Sequence, residues 1–151
     1  MIIALGSDHG GFRLKETIRQ HLEEKGHTVK DFGTNSGEVS CDYPVVAQPA
    51  AEAVAAGECD RGILICGTGI GIGMAANKVP GIRAALCHDT FSARASRNHN
   101  NANILTMGQR VVGEGLALDI VDMWLESEFE GGRHARRVEE LEAIEKGEPL
   151  Q

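Results

Sequence analysis

The chain alternates short apolar runs with longer segments in which apolar residues recur every three or four positions. Short apolar runs are typical of strands in a parallel sheet, because such strands are buried on both faces. The pattern predicts five strands, at Met1 to Leu5, His27 to Phe32, Ile63 to Cys66, Ile82 to Cys87 and Ile104 to Met107.

The segments between these strands predict helices. Leu14, Ile18 and Leu22 are spaced four apart, so this segment is expected to be an amphipathic helix that ends at Gly26. Pro44 fits the first turn of an alanine-rich helix. The helices are expected at Phe12 to Lys25, Pro44 to about Gly57, Gly73 to Lys78, His88 to Asn98, Gly113 to Ser127 and Arg133 to Lys146.

This alternation predicts an α/β fold: a doubly wound five-stranded parallel sheet in a three-layer, Rossmann-like or flavodoxin-like sandwich, with an extra C-terminal helix. A length of 151 residues is typical of one domain, so residues 1–151 are expected to form a single one. Such sheets bind ligands beyond the carboxyl ends of their strands. We therefore expect the turns that follow strands to share one edge, at residues 7–11, 67–73, 88–89 and 107–110.

Composition narrows the classes of function. A net charge of −7 with few runs of Lys or Arg argues against binding to nucleic acid or to a membrane surface. The four cysteines form no C-x-x-C pair, and neither a signal peptide nor a long apolar run is visible, so a thiol-reduced, cytoplasmic protein is expected. The six histidines show no spacing typical of metal ligands, so no metal site is expected.

The strongest chemical signal is a strand that ends at Cys66 and is followed by four glycines, at positions 67, 69, 71 and 73. Without side chains, the backbone N–H groups of such a loop can approach a ligand, and the helix N-terminus that follows adds positive charge. Neither G-x-G-x-x-G nor G-K-[ST] fits, because Ile72 and Met74 stand where glycine would be required. We expect a loop that stabilises an oxyanion, with Cys66 as its reactive side chain. The alternative is a tight turn beside a buried cysteine.

Other polar residues have two possible interpretations. Asp8 and His9 follow the first strand, either as pocket residues or as a helix cap and a surface histidine. His99 lies in a run of polar residues that suits a sugar, or else a polar helix end. Arg133 and Arg137 are four apart on one helix face, which fits a phosphate clamp or a solvated helix end. Three further thiols are expected to be small buried hydrophobic residues and not reactive groups, namely Cys41, Cys59 and Cys87. Three of the histidines are expected to be structural, namely His21, His27 and His88.

Several motifs occur together, in order, along nearly the whole chain. They are Gly6-Ser-Asp-His-Gly-Gly11, Asp42-Tyr-Pro44, Cys66-Gly-Thr-Gly-Ile-Gly71, Asn98-His-Asn-Asn101 and the pair Arg133 and Arg137. In combination they resemble the ribose-5-phosphate isomerase type B (RpiB/LacAB) family. The resemblance implies a cofactor-independent aldose–ketose isomerase that interconverts ribose 5-phosphate and ribulose 5-phosphate through a cis-enediolate. It also implies a homodimer or tetramer with active sites shared between subunits.

Matching positions acquire roles from this resemblance. It makes Cys66 the base at C2 and His99 the acid that opens the furanose ring, with Thr68 and Asp8 as further catalytic residues. Thr68 is suited to carry the hydroxyl proton between O1 and O2. The substrate-binding residues that the resemblance implies are Asp8, His9, Tyr43, Gly67, Thr68, Gly69, Ile70, Gly71, Asn100, Arg110, Arg133 and Arg137.

Two positions qualify the resemblance. Some relatives replace the cysteine by a glutamate base at the position of Ile72, which is apolar here and leaves Cys66 in that role. Val45 stands where many members carry an acidic residue, which bears on the substrate. The alternatives are therefore a six-carbon substrate, such as allose 6-phosphate or galactose 6-phosphate, or a non-catalytic regulatory module that binds a phosphosugar. A thiol at Cys66 argues against the second alternative.

Overall fold

A computed structural model describes residues 1–150; Gln151, the last residue of the expected domain, lies outside them. A turn of 3-10 helix that the sequence did not predict, His9–Gly11, joins the first strand to the first helix. The regular elements are β1 (Ile2–Ser7), α1 (Phe12–Glu24), β2 (Thr28–Asp31), α2 (Tyr43–Ala55), β3 (Arg61–Cys66), α3 (Ile70–Asn77), β4 (Ala84–Leu86), α4 (Thr90–Asn98), β5 (Ile104–Gly108), α5 (Glu114–Glu126) and α6 (Arg133–Lys146).

All five strands are parallel and lie in the order β2-β1-β3-β5-β4. The predicted doubly wound sheet is therefore confirmed. The chain builds outward from β1 in one direction and from β3 in the other, so the switch point lies between these two neighbours. Open α/β sheets form their ligand crevice at such a point, beyond the carboxyl ends of the strands. Here those ends are followed by Asp8 and by Gly67.

Alternating residues of β3 face two separate apolar layers, because side chains of a strand point to opposite faces. Ile63 and Ile65 belong to the layer formed with α1 and α5, which includes the fully buried Trp124. Leu64 and Cys66 belong to the layer formed with α2 and α3. Each fully buried large side chain contributes about 1.5–3 kcal/mol of transfer free energy. The register of β3 thereby directs the Cys66 side chain toward the α2 and α3 face.

Helix α3 begins at Ile70, three residues before its predicted start, so the loop after β3 is only residues 67–69. Glycine costs about 1 kcal/mol relative to alanine inside a helix, which is why the sequence suggested a longer loop. The structure shows what offsets this cost. A Cβ atom built on Gly71 would lie 2.7 Å from Cζ of Tyr43, and one on Gly73 would lie 3.1 Å from Oγ1 of Thr106. The two glycines therefore allow α2 and the sheet to approach α3 closely.

Helix α6 has the bounds that the sequence predicts and lies beside the amino end of β4. The Gly81 backbone N–H donates to the Glu145 carboxylate at 3.1 Å, and Arg83 lies 3.8 Å from Glu142. Val138 is the one buried residue of α6. Among the described helices, none combines the length and apolar character needed to cross a membrane.

Candidate active site

The turn after β3 closes around the sulfur of Cys66. The Sγ atom accepts a hydrogen bond from the Gly69 N–H at 3.0 Å, and the side chain is 4% exposed. Gly69 has φ of +78°, and a Cβ there would lie 2.7 Å from the Met107 carbonyl carbon. The Thr106 hydroxyl donates to the Gly69 carbonyl at 3.0 Å and fixes the turn from the other side. Only glycine fits this position, and its N–H holds the Cys66 sulfur at the start of α3.

The N-terminus of α3 presents backbone N–H groups next to this thiol. The Ile70 N–H donates to Oγ1 of Thr68 at 3.2 Å, and the Gly73 N–H donates to the Gly69 carbonyl. The first N–H groups of a helix have no acceptor within it. Within residues 1–150, this leaves the N–H groups of Gly71 and Ile72 without a partner. They can bind an anion, whereas those of Gly69 and Ile70 are already engaged.

The turn after β1 lies against the Cys66 turn. A Cβ built on Gly10 would be 3.3 Å from Oδ1 of Asp8 and 3.4 Å from the Gly67 nitrogen. Asp8 is 9% exposed, and its Oδ1 atom is buried without a hydrogen-bond partner in the described chain. The Asp8 side chain does not cap a helix, which removes the structural alternative for this residue. An unpaired buried carboxylate oxygen is costly, so a ligand that donates to it would relieve a penalty.

His9 is held in one orientation by the backbone of Cys41. Its Nδ1 atom lies 3.1 Å from the Cys41 backbone nitrogen, whose N–H it accepts, and 3.3 Å from the Cys41 carbonyl oxygen. Cys41 itself is only half-buried, so the prediction that it is buried was wrong; it lies in the loop before α2, which covers it incompletely. Cys59 and Cys87 are buried as expected, and burial raises the pKa of Cys87 to about 11.

Arg110 and Tyr43 complete this edge of the site. The backbone N–H of Arg110 donates to the Gly67 carbonyl at 3.1 Å. A Cβ built on Gly67 would lie 3.6 Å from Nε of Arg110, so the guanidinium group flanks the loop. The ring of Tyr43 lies against Gly71. The structure thus brings six predicted side chains and the glycine loop to the carboxyl edge of the sheet: Asp8, His9, Tyr43, Cys66, Thr68 and Arg110.

His88 supports the same edge in a way that the sequence did not specify. Its Nε2 atom accepts from the Gly108 N–H at 2.9 Å, and burial lowers its pKa, which favours the neutral ring required of an acceptor. Asp89 caps α4, because its Oδ1 atom accepts from the Ser92 N–H at 2.6 Å. His88 is therefore structural, as predicted, and it fixes the turn that leads to Arg110.

The other predicted residues lie at the opposite edge of the sheet. Helix α4 connects two parallel strands, so it runs back along them and ends where they begin. The Asn103 carbonyl, just beyond it, accepts from Gly62 N–H near the start of β3. Buried Arg97 fixes this segment by donating to the Ala102 carbonyl at 2.7 Å. His99 and Asn100 are therefore exposed at the amino edge, away from Cys66 of the same chain.

The N-terminus of α6 joins this second group. The rings of His99 and His134 are stacked with centroids 4.4 Å apart and planes 15° from parallel. Arg133 and Arg137 flank His134 on the helix and are both exposed. We call His99, Asn100, Arg133, His134 and Arg137 the amino-edge group. A single chain does not bring this group together with Cys66.

Glu130 adds a carboxylate to the amino-edge group. Its Oε1 atom lies 3.6 Å from Nε2 of His99 and 3.8 Å from Nε2 of His134. Burial is the main cause of a lowered His134 pKa, and the positive charge of His99 and Arg133 adds to it. Sequence spacing missed this cluster, because His99 and Glu130 are 31 positions apart and meet only when α6 packs beside the end of α4.

Comparison with known proteins extends these observations. Residues 3–141 match the family model described as Ribose/Galactose Isomerase. The chain is 57% identical over 143 residues to ribose-5-phosphate isomerase B of Escherichia coli, covering 95% of each chain. The solved ribose-5-phosphate isomerase B of Clostridium thermocellum has 60% identity and a TM-score of 0.96, with 97% of this chain and 99% of that one covered.

A third relative carries a ligand. The structure of ribose-5-phosphate isomerase B from Mycoplasma genitalium, with bound ribulose 5-phosphate, superimposes with a TM-score of 0.92 at 44% identity, covering 96% of each chain. The matches extend over nearly the full length of the relatives as well as of this chain. With its parallel sheet and its cysteine beside a helix N-terminus, the chain belongs to the ribose/galactose isomerase family.

Proposed function

We propose that this chain is a type B ribose-5-phosphate isomerase, which interconverts ribose 5-phosphate and ribulose 5-phosphate without a cofactor. The observation that carries the proposal is the pairing of the Cys66 sulfur with the Gly69 N–H beside unpartnered N–H groups of Gly71 and Ile72. A base and an oxyanion site in contact are the two elements that an enediolate mechanism requires. The names of the relatives support the choice of substrate.

The reaction then proceeds by proton transfer on carbon. His99 donates a proton to the ring oxygen as the bond from C1 to that oxygen breaks, and the C1 hydroxyl releases its proton to solvent, which gives the open-chain aldehyde. The Cys66 thiolate removes the proton from C2 of the aldose, and the electrons move onto O1 to give an enediolate. The hydroxyl of Thr68 carries a proton from O2 to O1, and the Cys66 thiol returns its proton to C1, giving the ketose. The N–H groups of Gly71 and Ile72 stabilise the enediolate oxygens; one such donor contributes about 2.7–4 kcal/mol in other enzymes.

The phosphate of the substrate binds to arginine. Arg133 and Arg137 are exposed, one helical turn apart and next to His99 through His134. Guanidinium groups in this arrangement can donate paired hydrogen bonds to phosphate oxygens. Asn100 adds an amide that can donate to a sugar hydroxyl, and on the Cys66 side Arg110 and His9 add two further donors.

We also propose that the two groups meet across a subunit interface, in a homodimer or a larger assembly. Cys66 of one chain then faces the amino-edge group of its partner, and a two-fold axis repeats the arrangement to give two equal sites. Exposed apolar side chains beside the Cys66 turn support such an interface. Ile70 is 49% exposed, Met74 64% and Phe91 68%.

The deciding experiment compares substrates on the purified protein. Ribose 5-phosphate, allose 6-phosphate and galactose 6-phosphate are each supplied, and ketose formation is followed in D₂O. We expect the highest kcat/KM for ribose 5-phosphate and incorporation of solvent deuterium into the product, because the proton on Cys66 exchanges with solvent. A tenfold preference for a six-carbon sugar would reassign the substrate, and binding without turnover would favour a regulatory module.

We further propose that residues 1–151 act as one sugar-phosphate isomerase domain in the cytoplasm. All four cysteines are free, which supports a reducing compartment. The family match over residues 3–141 supports a single functional unit. Fractionation of cells that express the chain, followed by the isomerase assay on each fraction, tests the location.

A further inference from the structure

Three side chains at the amino edge present ligand atoms that are close together and not hydrogen-bonded. One ring nitrogen of His99, one of His134 and a carboxylate oxygen of Glu130 all lie within 4.8 Å of one another. The separations of 3.6 and 3.8 Å from Glu130 Oε1 are too long for hydrogen bonds. In residues 1–150, the Nε2 atoms of these two histidines have no hydrogen-bond partner at shorter range. The imidazole nitrogens and the carboxylate therefore have lone pairs that no hydrogen bond between them occupies.

The spacing of these atoms is close to that of a tetrahedral metal site. Zn²⁺ binds imidazole nitrogen at about 2.0–2.1 Å and carboxylate oxygen at about 2.0–2.2 Å, which places two tetrahedral ligands about 3.3 Å apart. The separations of 3.6 and 3.8 Å from Glu130 exceed this value by a few tenths of an ångström, and the ring nitrogens of the two histidines lie within 4.8 Å of each other. His99 and Glu130 are about half exposed, so their side chains can tilt inward without a change in the backbone. The rings of His99 and His134 must also lose part of their parallel stacking for their lone pairs to converge.

We propose that His99, Glu130 and His134 form an inhibitory site for a borderline-soft divalent transition metal such as Zn²⁺. Two imidazoles and one carboxylate with one open position make a donor set that Zn²⁺ favours and that Mg²⁺ and Ca²⁺, which prefer oxygen, do not. Inhibition rests on the proposed function, because a metal on Nε2 of His99 removes the nitrogen that would donate a proton to the sugar ring. Binding of the metal does not depend on that function.

The charges around the cluster set the expected affinity. Arg133 and Arg137 flank His134 on the same helix and oppose a cation, while Glu130 supplies one negative charge. The N–H of Glu130 donates to the Asn98 carbonyl at 3.0 Å, which fixes the carboxylate near His99. We therefore expect a dissociation constant in the micromolar range, weaker than that of a structural zinc site. An inhibitor of this strength acts when free zinc rises and leaves the enzyme active otherwise.

The test uses untagged full-length protein, so that no added histidines bind metal. Zn²⁺ binding is measured by equilibrium dialysis, and isomerisation of ribose 5-phosphate is measured over the same range of Zn²⁺, with Mg²⁺ as a separate arm. His134→Asn and Glu130→Gln each remove one ligand and keep a polar side chain of similar size. His21→Asn is the matched control, because His21 lies 2.7 Å from the carboxylate of Asp122 on other elements of the fold.

We expect wild type and His21→Asn to bind one Zn²⁺ per chain, with His134→Asn and Glu130→Gln at least tenfold weaker. Zn²⁺ should inhibit wild type at the concentration at which it binds, EDTA should restore the rate, and Mg²⁺ should have no effect. Equal Zn²⁺ affinity in wild type and both ligand variants overturns the site. Binding lost in the variants without inhibition of wild type overturns the inhibitory role. Ligand-dependent binding in a chain that isomerises no sugar phosphate upholds the site and refutes the proposed function instead.

Discussion

The Cys66 sulfur and the Gly69 N–H are joined by a 3.0 Å hydrogen bond that closes the turn after β3. The candidate base is therefore also the acceptor that holds the loop in shape. Replacement of Cys66 by serine keeps an acceptor, whereas replacement by alanine removes it. The pair of variants separates the chemical role of the thiol from its structural role.

We expect Cys66→Ala and Cys66→Ser to lower kcat by at least about a hundredfold, since proton transfer by a positioned side chain contributes about 10²–10⁴ in rate. Cys66→Ala should also lose about 1–3 kcal/mol of stability, because the Gly69 N–H is left unpaired. Initial rates and urea unfolding measure the two effects. Cys59→Ala, which removes a buried thiol of the same apolar layer, is the control and should retain its rate. A Cys66 variant with a tenth or more of wild-type kcat would refute the role of base.

Gly69→Ala should destabilise the chain and abolish activity. An alanine at position 69 would have to adopt a positive φ, and its Cβ atom would lie 2.7 Å from the carbonyl carbon of Met107, so the turn has to open. Gly26→Ala is the matched control: φ is +87°, but nothing lies within 4 Å of its Cβ. The free energy of unfolding of the control should fall only by the intrinsic cost of a left-handed residue, about 1–2 kcal/mol, and its activity should be unchanged. Similar urea midpoints for the two variants would show that the contact at Gly69 does not matter.

Arg137→Ala should raise KM for ribose 5-phosphate about ten- to a hundredfold, because a hydrogen bond to a charged group contributes about 1.5–3 kcal/mol. Its slow rate on non-phosphorylated ribose should hardly change. Arg136→Ala, one position away, is the control; Arg136 is 69% exposed beside Glu140 and should be dispensable. If Arg137→Ala is equally impaired with ribose and with ribose 5-phosphate, Arg137 stabilises the fold or the interface and does not bind the phosphate.

Mixing two impaired variants tests whether sites are shared, with ribose 5-phosphate kept well below the KM of Arg137→Ala so that neither variant alone is appreciably active. Cys66→Ala and Arg137→Ala damage different groups, so a mixed dimer contains one site with both lesions and one with neither. Unfolding and refolding the two together at equal concentration should recover about a quarter of wild-type activity, because half of the chains pair with the other variant and each such dimer has one intact site. Refolding each variant alone is the control. No recovery in verified mixed dimers would place both groups in one subunit.

His88 should make stability depend on pH. Burial lowers its pKa in the folded chain below the ordinary value of about 6.5, so the unfolded chain binds more protons between these two values. The stability present above about pH 6.5 is therefore lost as pH falls toward the folded pKa, by at most about 1.4 kcal/mol per pH unit. His88→Gln, which keeps an acceptor for the Gly108 N–H, should flatten this part of the curve. Urea midpoints from pH 7.5 to 5 measure the difference.

The sequence predicted most of the fold, because the apolar pattern and helix signals are local. The bounds of α6 agree with the prediction, and each strand lies within three residues of its predicted ends. The start of α3 was missed because intrinsic propensity disfavours Gly71 and Gly73 in a helix, while the contacts with Tyr43 and Thr106 that compensate come from distant segments.

The site was only partly predictable. Topology placed Asp8, Cys66 and Arg110 at one edge, because each follows a parallel strand. The contact of His99 with Glu130 and His134 depends on how α6 packs on the end of α4, which no local pattern encodes. Which N–H groups of the glycine loop stay free also required coordinates, since the Cys66 sulfur and the Thr68 hydroxyl each engage one of them.

The three turns that border Cys66 are hydrogen-bonded to one another through their backbones. Asp8 N–H donates to the Ile65 carbonyl, Gln109 N–H to that of Cys66, and Arg110 N–H to that of Gly67. Their conformational entropy is thus lost when the chain folds and is not lost again when a ligand arrives. This half of the site should bind as a preorganised surface, with association limited by diffusional encounter and orientation instead of by loop closure.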